Sequence, residues 1–288
     1  MNRIPRPTYG DGAALTNLAN NHLVDSYPKI LPALPLLQQA YVDYLAAAGN
    51  VFNVPVNTIA AEVCALLKGH YKSPPSDIQH INIMRELKEH RVCPMCGSFH
   101  RGTLDHLLPQ SQYPHLTIFS MNLVPACKCN SKRQNVIKGP GPSERILHPY
   151  FDDCLAERLV AAEFTDLGLV PRIRLRLSIG RAHPKYAAIR FHFRTIVERT
   201  AVRGYLRDRW TDLCRKPALA IRALQRNPSS LVGLTAILEE ELDFLDETHR
   251  GKNNWDSIFV AGLLDSHVQT WLHHRMNRVG RLPNGSLI

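Results

Sequence analysis

Between positions 93 and 135 the chain carries two cysteine pairs, Cys93-x-x-Cys96 and Cys127-x-Cys129. They bracket an acid–imidazole step, Asp105-His106, and two carboxamides, Asn122 and Asn130. Thiolates are soft ligands, and two pairs of them converging across a loop suit a tetrahedral Zn²⁺ better than disulfides in a chain expected to stay in a reducing compartment. Carboxylate and amide oxygens suit a hard divalent cation that keeps part of its water. An imidazole titrates close to neutral pH, so it is mostly uncharged there and still able to take a proton. Acid, imidazole and carboxamides held over a structural zinc are the equipment of metal-assisted phosphodiester hydrolysis, in which a cation offsets charge at the phosphorane and at the leaving oxygen.

The same stretch resembles the HNH endonucleases and their ββα-metal finger. The resemblance rests on Thr103-Leu104-Asp105-His106, on Asn122-Leu123-Val124-Pro125-Ala126-Cys127 and on Cys129-Asn130-Ser131-Lys132. Leu108-Pro109-Gln110-Ser111 and Tyr113-Pro114 are similar to the family's LPKS-x-YP segment. The resemblance implies His106 as general base, Asp105 and Asn130 as ligands of a catalytic Mg²⁺ or Mn²⁺, and Asn122 as the residue that steadies the histidine's loop. It also implies structural zinc on Cys93, Cys96, Cys127 and Cys129. The family's second pair is usually C-x-x-C and this one is C-x-C. Whether both Cys127 and Cys129 bind, or His100 replaces one, stays open at this level. Lys132 and Arg133, just beyond Asn130, could reach a phosphate.

By the same resemblance the substrate is duplex DNA, gripped across its minor groove and cut to a 5′-phosphate and a 3′-hydroxyl, although no residue argues against RNA. The chain is similar in plan to nuclease components of bacterial antiphage systems such as the Septu and Zorya types. That plan implies an ATPase or sensor subunit docked on the flanks. The alternative reading is a zinc-stabilised nucleic-acid-binding or adaptor protein whose nuclease site is silent.

The elements that must position these residues follow from periodicity and breakers. Apolar residues recur at helical spacing over 13–21, 27–48 (broken near Pro32 and Pro35) and 56–68, with Asn57 as cap. Ser73-Pro74-Pro75-Ser76 marks a boundary before a further helix that runs to about His90. Short strands are predicted over 102–107 and 121–125, then a helix over 127–136, ended by the breaker-rich 138–143. A helix is expected up to about Glu163. Arg172 to Leu177 alternates strictly, as a strand with an arginine face and an apolar face does. Helices follow over 184–215, 217–225, 229–250 and 254–278. In the first, Arg199, Arg203 and Arg207 would share a face. Asn254 is a predicted cap, and Trp255, Phe259 and Leu263 form a core stripe.

The expected fold class is therefore mainly α with a small central ββα zinc-stabilised finger, an α+β arrangement. A helical region is expected over 1–88, the nuclease finger over 89–145, and a mainly helical region with a basic DNA-contacting block over 146–288. Apolar content of 44% in 288 residues supports a substantial core. No apolar run is long enough to span a membrane. The first residues carry Arg3 and Arg6 without an apolar stretch behind them, so a cytoplasmic location is expected. Cys64, Cys154 and Cys214 then read as small buried hydrophobes. The formal net charge is +10. Between Arg172 and Arg226 fifteen Lys and Arg face three acids (Glu198, Asp208 and Asp212), a concentration that favours a polyanion partner.

Overall fold

In the computed structural model, which describes residues 1–86, 91–100 and 102–288, four helices precede the cysteine-rich stretch. They are α1 (Asp11–Asn20), α2 (Leu34–Ala46), α3 (Ala61–Lys72) and α4 (His80–Glu86). Pro35 occupies the first turn of α2, where a missing N–H leaves no hydrogen bond unmade. Helix α3 begins later than the predicted 56–68, with Ala60 as its N-cap and Asn57 left in the connection. Of the helix predicted to about His90, Ser76–Ile78 is a 3₁₀ turn and α4 ends the described part at Glu86. Residues 87–90 lie outside the described residues.

Two short strands follow, β1 (Thr103–His106) and β2 (Leu123–Ala126). They pair antiparallel, with Asp105 opposite Val124 and His106 opposite Leu123. The next helix, α5, is one turn, Cys129–Lys132, rather than the predicted 127–136. Gln134 takes a left-handed backbone (φ 54°), which a helix cannot continue through.

The helix expected up to Glu163 is absent. A 3₁₀ turn (Asp153–Ala156) leads instead into β3 (Val160–Thr165), antiparallel to β4 (Arg172–Leu177). Leu159 to Phe164, apolar apart from Glu163, suits a buried helix or a buried strand equally, and pairing with β4 decides it. On β4 the alternation holds: Arg172, Arg174 and Arg176 are exposed while Leu175 is buried.

Helices α6 (Tyr186–Thr195), α7 (Val202–Arg215), α8 (Pro217–Ala220), α9 (Leu231–His249), α10 (Trp255–Leu263) and α11 (Ser266–Met276) complete the chain. The predicted 184–215 helix is thus broken. Arg199 belongs to a 3₁₀ turn (Val197–Arg199) and Thr200 is extended, so Arg199 does not share a helix face with Arg203 and Arg207. Asn254 caps α10 as expected, its side chain accepting from Ser257 N at 2.8 Å. The predicted 254–278 helix is interrupted at Asp265, whose carboxylate caps α11. The architecture is mainly helical with two small antiparallel sheets. No helix among the described residues is long and apolar enough to cross a membrane.

Two buried clusters hold it together. In the C-terminal one, Trp210 stacks between Phe164 (4.8 Å) and Trp271 (5.3 Å), and the Trp255, Phe259 and Leu263 stripe is buried beside it. Cys154 and Cys214 are buried here as well, and Cys64 is half-buried. The other cluster runs without a break from α1–α4 into the β1–β2 hairpin. There Tyr41 stacks on Phe119 at 4.1 Å and Tyr44 meets the same ring edge-on. Rings of this size carry much of the apolar area a core buries. The cysteine knuckle bridges the two clusters: Trp255 donates its indole N–H to Cys96 O at 3.0 Å, and His192 Nε2 to Met95 O at 2.7 Å.

Candidate functional site

The zinc-type cluster starts from a tight turn. Gly97 (φ 78°) donates to Cys93 O at 2.8 Å, and Cys93 N donates to Ser98 O at 2.8 Å, which brings Cys93 and Cys96 to one side. A Cβ at Gly97 would lie 1.9 Å from Asn253 O, so only glycine fits this turn. The antiparallel pairing of β1 with β2 then delivers Cys127 and Cys129 to the same point. All four Sγ atoms lie within 4.8 Å of one another, with Cys93–Cys129 at 3.7 Å and Cys96–Cys127 at 3.5 Å. Zn–S bonds of about 2.3 Å at tetrahedral angles place sulfurs about 3.8 Å apart, so the thiols match a zinc cage and are too far apart for disulfides. Cys127 and Cys129 both belong to the group, and His100 does not. Hydrogen bonds from the neighbouring thiols, Cys129 first, pull Cys127 well towards the thiolate, and the same contact pushes Cys129 up. A cation between them is what lets all four ionise together.

Asp105 and His106 leave the end of β1 in different directions. Asp105 is half-buried, and its Oδ1 accepts from His106 N at 2.8 Å. Its Oδ2 accepts from Asn130 Nδ2 at 2.7 Å. His106 is 5% exposed, and its Nε2 lies 2.8 Å from Thr117 O. A carbonyl only accepts, so Nε2 carries the proton and Nδ1 keeps its lone pair. Among the described residues Nδ1 has no hydrogen-bond partner. Burial lowers the His106 pKa, partly opposed by the Thr117 carbonyl and by Asp105. The ring is therefore neutral at pH 7.

Asn122 is fully buried and spans the loop between the strands. It accepts from Leu108 N at 2.8 Å and donates to Leu108 O (3.1 Å) and Leu116 O (3.2 Å). Thr117, the residue that orients His106, sits at the end of the segment so braced. The sequence-predicted residues Asp105, His106, Asn122 and Asn130 are thus brought together around one hairpin, with the cysteine cluster at its other end.

Arg133 is placed differently from the expectation. It is 1% exposed, so it does not face solvent and cannot reach a phosphate there. Its guanidinium donates to His106 O at 3.0 Å, to Leu107 O at 2.7 Å and to Asn130 Oδ1. Between Arg133, which only donates, and a carboxylate, which only accepts, the Asn130 amide turns its NH₂ to Asp105 and its oxygen to Arg133.

Three further residues complete the surroundings. Tyr71, from α3, packs its ring on His106 (centroids 4.5 Å apart) and donates its hydroxyl to Leu104 O. Arg85, from α4, lies over the Tyr71 ring at 4.8 Å. Thr117 supplies the carbonyl already described. No motif marks any of them, because they reach the site through tertiary packing or through a main-chain atom. The basic block disperses over the C-terminal half. Arg172 pairs with Asp166, Arg203 with Glu198 and Arg215 with Asp212. From this block Arg199 O meets α5, accepting from Lys132 Nζ at 3.4 Å.

Set against known proteins, the chain is 34% identical over 62 residues to Protein ea31 of Escherichia phage lambda. That match covers 21% of each chain, so it spans about a fifth of the phage protein's length. No family model and no solved structure matches.

Proposed function

We propose that this protein is a metal-dependent endonuclease that hydrolyses phosphodiester bonds, with DNA as substrate and an HNH-type finger as its catalytic unit. The observation that carries the reading is the His106 ring. It is neutral and buried, and Thr117 O holds its Nε2 proton so that Nδ1 is the basic atom, beside a carboxylate–carboxamide pair. In the proposed reaction Nδ1 takes a proton from the attacking water, Asn122 keeps the loop and hence Thr117 in place, and Tyr71 keeps bulk water off one ring face. The oxygens of Asp105 and Asn130 are the donor types a Mg²⁺ or Mn²⁺ accepts. That cation would stabilise charge on the phosphorane and on the leaving oxygen when bound. Asn130 must turn its amide over to offer its oxygen beside Asp105, releasing the contact with Arg133. The four cysteines hold the structural zinc. By resemblance the setting is bacterial antiphage defence or restriction in the cytoplasm, with an ATPase or sensor subunit docked on the helical flanks.

One observation favours the second reading, a zinc-stabilised nucleic-acid-binding protein with a silent site. The Asn130 amide points its NH₂, not its oxygen, at Asp105, and the buried Arg133 holds it that way. Plasmid cleavage with Mg²⁺ or Mn²⁺, wild type beside His106→Ala, separates the two. The nuclease reading expects nicking that falls by about 10²–10⁴ in the variant, with zinc content unchanged and the fold retained at a lower melting temperature, because a buried ring and the partner of Thr117 O are lost. No cutting by the wild type, together with bound zinc and salt-sensitive DNA binding, selects the silent module.

A further inference from the structure

Two cavities lie side by side at the end of the β1–β2 hairpin that carries Gly102, Thr103 and Cys127. One, of about 540 Å³, is bounded by Arg85 and Glu86 of α4 and by Leu104 of β1. The other, of about 680 Å³, is bounded by Lys128 and Lys132 beside α5 and by Thr200 and Ala201 at the start of α7. They share His100, Gly102, Thr103 and Cys127 in their walls, so they form one trough running from α4 across the hairpin edge to α7. Its charged side chains among the described residues are Arg85, Lys128 and Lys132, against Glu86 and the zinc-type cysteines Cys93, Cys127 and Cys129 in the walls. All three cations are exposed. Among the described residues none of them pairs with a carboxylate: Arg85 bonds Asn82 Oδ1 (3.0 Å) and Tyr71 O, and Lys132 bonds Arg199 O. Cations left with neutral partners around an open channel keep their charge available to an anion, unlike Arg172, Arg203 and Arg215, which have carboxylates of their own.

The ends of the trough flank the candidate site. Arg85 stacks on the Tyr71 ring that covers His106, and Lys132 stands on the same helical turn as Asn130. We propose that this trough is the track for the phosphate backbone of a nucleic-acid strand, gripped by Arg85 on one side and by Lys128 and Lys132 on the other. The proposal rests on the nucleic-acid reading above for its class of ligand, and it narrows the contact surface. The N-terminal helices supply one wall, and the arginine face of β4 is not part of the track. Phosphates neutralised in the trough release counterions, so each lost contact lowers both affinity and its dependence on salt.

The test is fluorescence anisotropy with a labelled DNA duplex of about 20 base pairs and no added divalent cation, over a range of NaCl. Compared are the wild type, the double variant Arg85→Glu/Lys132→Glu, and Arg174→Glu/Arg176→Glu on β4, with zinc content and melting temperature measured for each. The double variant is expected to bind about tenfold or more weakly at low salt, and to lose about two from the slope of log K against log salt. The β4 variant should change affinity by less than about twofold. If the glutamates impair folding, Arg85→Gln/Lys132→Gln reads the slope instead. Unchanged affinity and slope in a folded trough variant, or an equal loss in the β4 variant, overturns the proposal. Because binding is read without cleavage, the two readings fail separately. A wild type that binds through the trough but never cuts ends the nuclease reading alone; one that cuts while the trough variant binds normally ends this one alone.

Discussion

The side chain on which the proposed chemistry depends is His106, and its environment sets a pH dependence. Burial lowers its pKa against the smaller upward pull of the Thr117 carbonyl. The folded value therefore lies below the ordinary 6.5, and the neutral form is the active one. The acid limb of cleavage should accordingly fall below pH 6.5, and Tyr71→Ala, which opens the ring to water, should move that limb upward; a pH–rate profile of both proteins reads it. The stability effect has the matching sign. A group whose folded pKa is depressed contributes stability above its unfolded pKa and loses it as pH falls through the folded one. Asn122 belongs to this scale too, as a positioning residue. Asn122→Ala leaves the buried N–H and carbonyl of Leu108 without partners, while Leu116 O keeps the bond from Phe119 N; at about 1–3 kcal/mol for each stranded group, a loss of about 3 kcal/mol is expected in denaturant unfolding.

At the scale of elements, the hairpin and α5 cannot stand without help. Each strand has four residues, and α5 is a single turn with no side-chain cap. One turn of helix is far below the length at which helices persist in water. The four-sulfur cluster joins the Cys93–Cys96 knuckle, the end of β2 and that turn at one point, so a zinc bound there should contribute folding energy directly. Cys129→Ser is expected to lose bound zinc, lower the melting temperature and abolish cleavage, while treatment of the wild type with a zinc chelator reproduces all three. Retained zinc and an unshifted melting curve would show that the remaining sulfurs suffice. In the sequence, the C-x-C spacing left the membership of Cys127 and Cys129 open. The antiparallel register resolves it, because Thr103 opposite Ala126 carries the chain back to the knuckle just before Cys127.

At the scale of the whole molecule, a short strap over 145–152 joins the two cores. Ile146 and Tyr150 are buried in the N-terminal cluster, and Leu147 in the C-terminal one. Tyr150 donates its hydroxyl to Leu123 O at 2.8 Å, tying the strap to β2. The strap is pinned by a buried bidentate pair, Arg145 to Asp152 at 2.7 and 2.6 Å. Burial alone would raise the Asp152 pKa, but Arg145 outweighs it and holds the carboxyl below the usual range. Asp152→Ala strands the buried guanidinium, and a loss of about 3–5 kcal/mol is expected in unfolding experiments. In the wild type, this contribution is full above the ordinary carboxylate pKa and disappears as pH falls through the depressed one. A destabilisation confined to the C-terminal half would show that the strap does not couple the cores.

Features that depend on local spacing and residue chemistry are legible without any structure. The cysteine pairs, the Asp105-His106 step and the two asparagines are recognisable from type and order alone. The arginine alternation on β4 and the Asn254 cap of α10 are legible because strand pleat and helix cap are local devices. The remaining features depend on contacts between residues far apart in the chain. Val160 to Thr165 became a strand because β4 was there to pair with it, and apolar content alone does not separate a buried strand from a buried helix. Arg199 fell off the helix of Arg203 because Thr200 is extended. Arg133 turned inward because three main-chain and side-chain oxygens around His106, Leu107 and Asn130 needed a donor, a need no sequence pattern displays. Tyr71, Arg85 and Thr117 reached the site from α3, α4 and the inter-strand loop through packing across long sequence separations. Residue type sets which chemistry is available, and the non-local contacts set which atom is free to perform it.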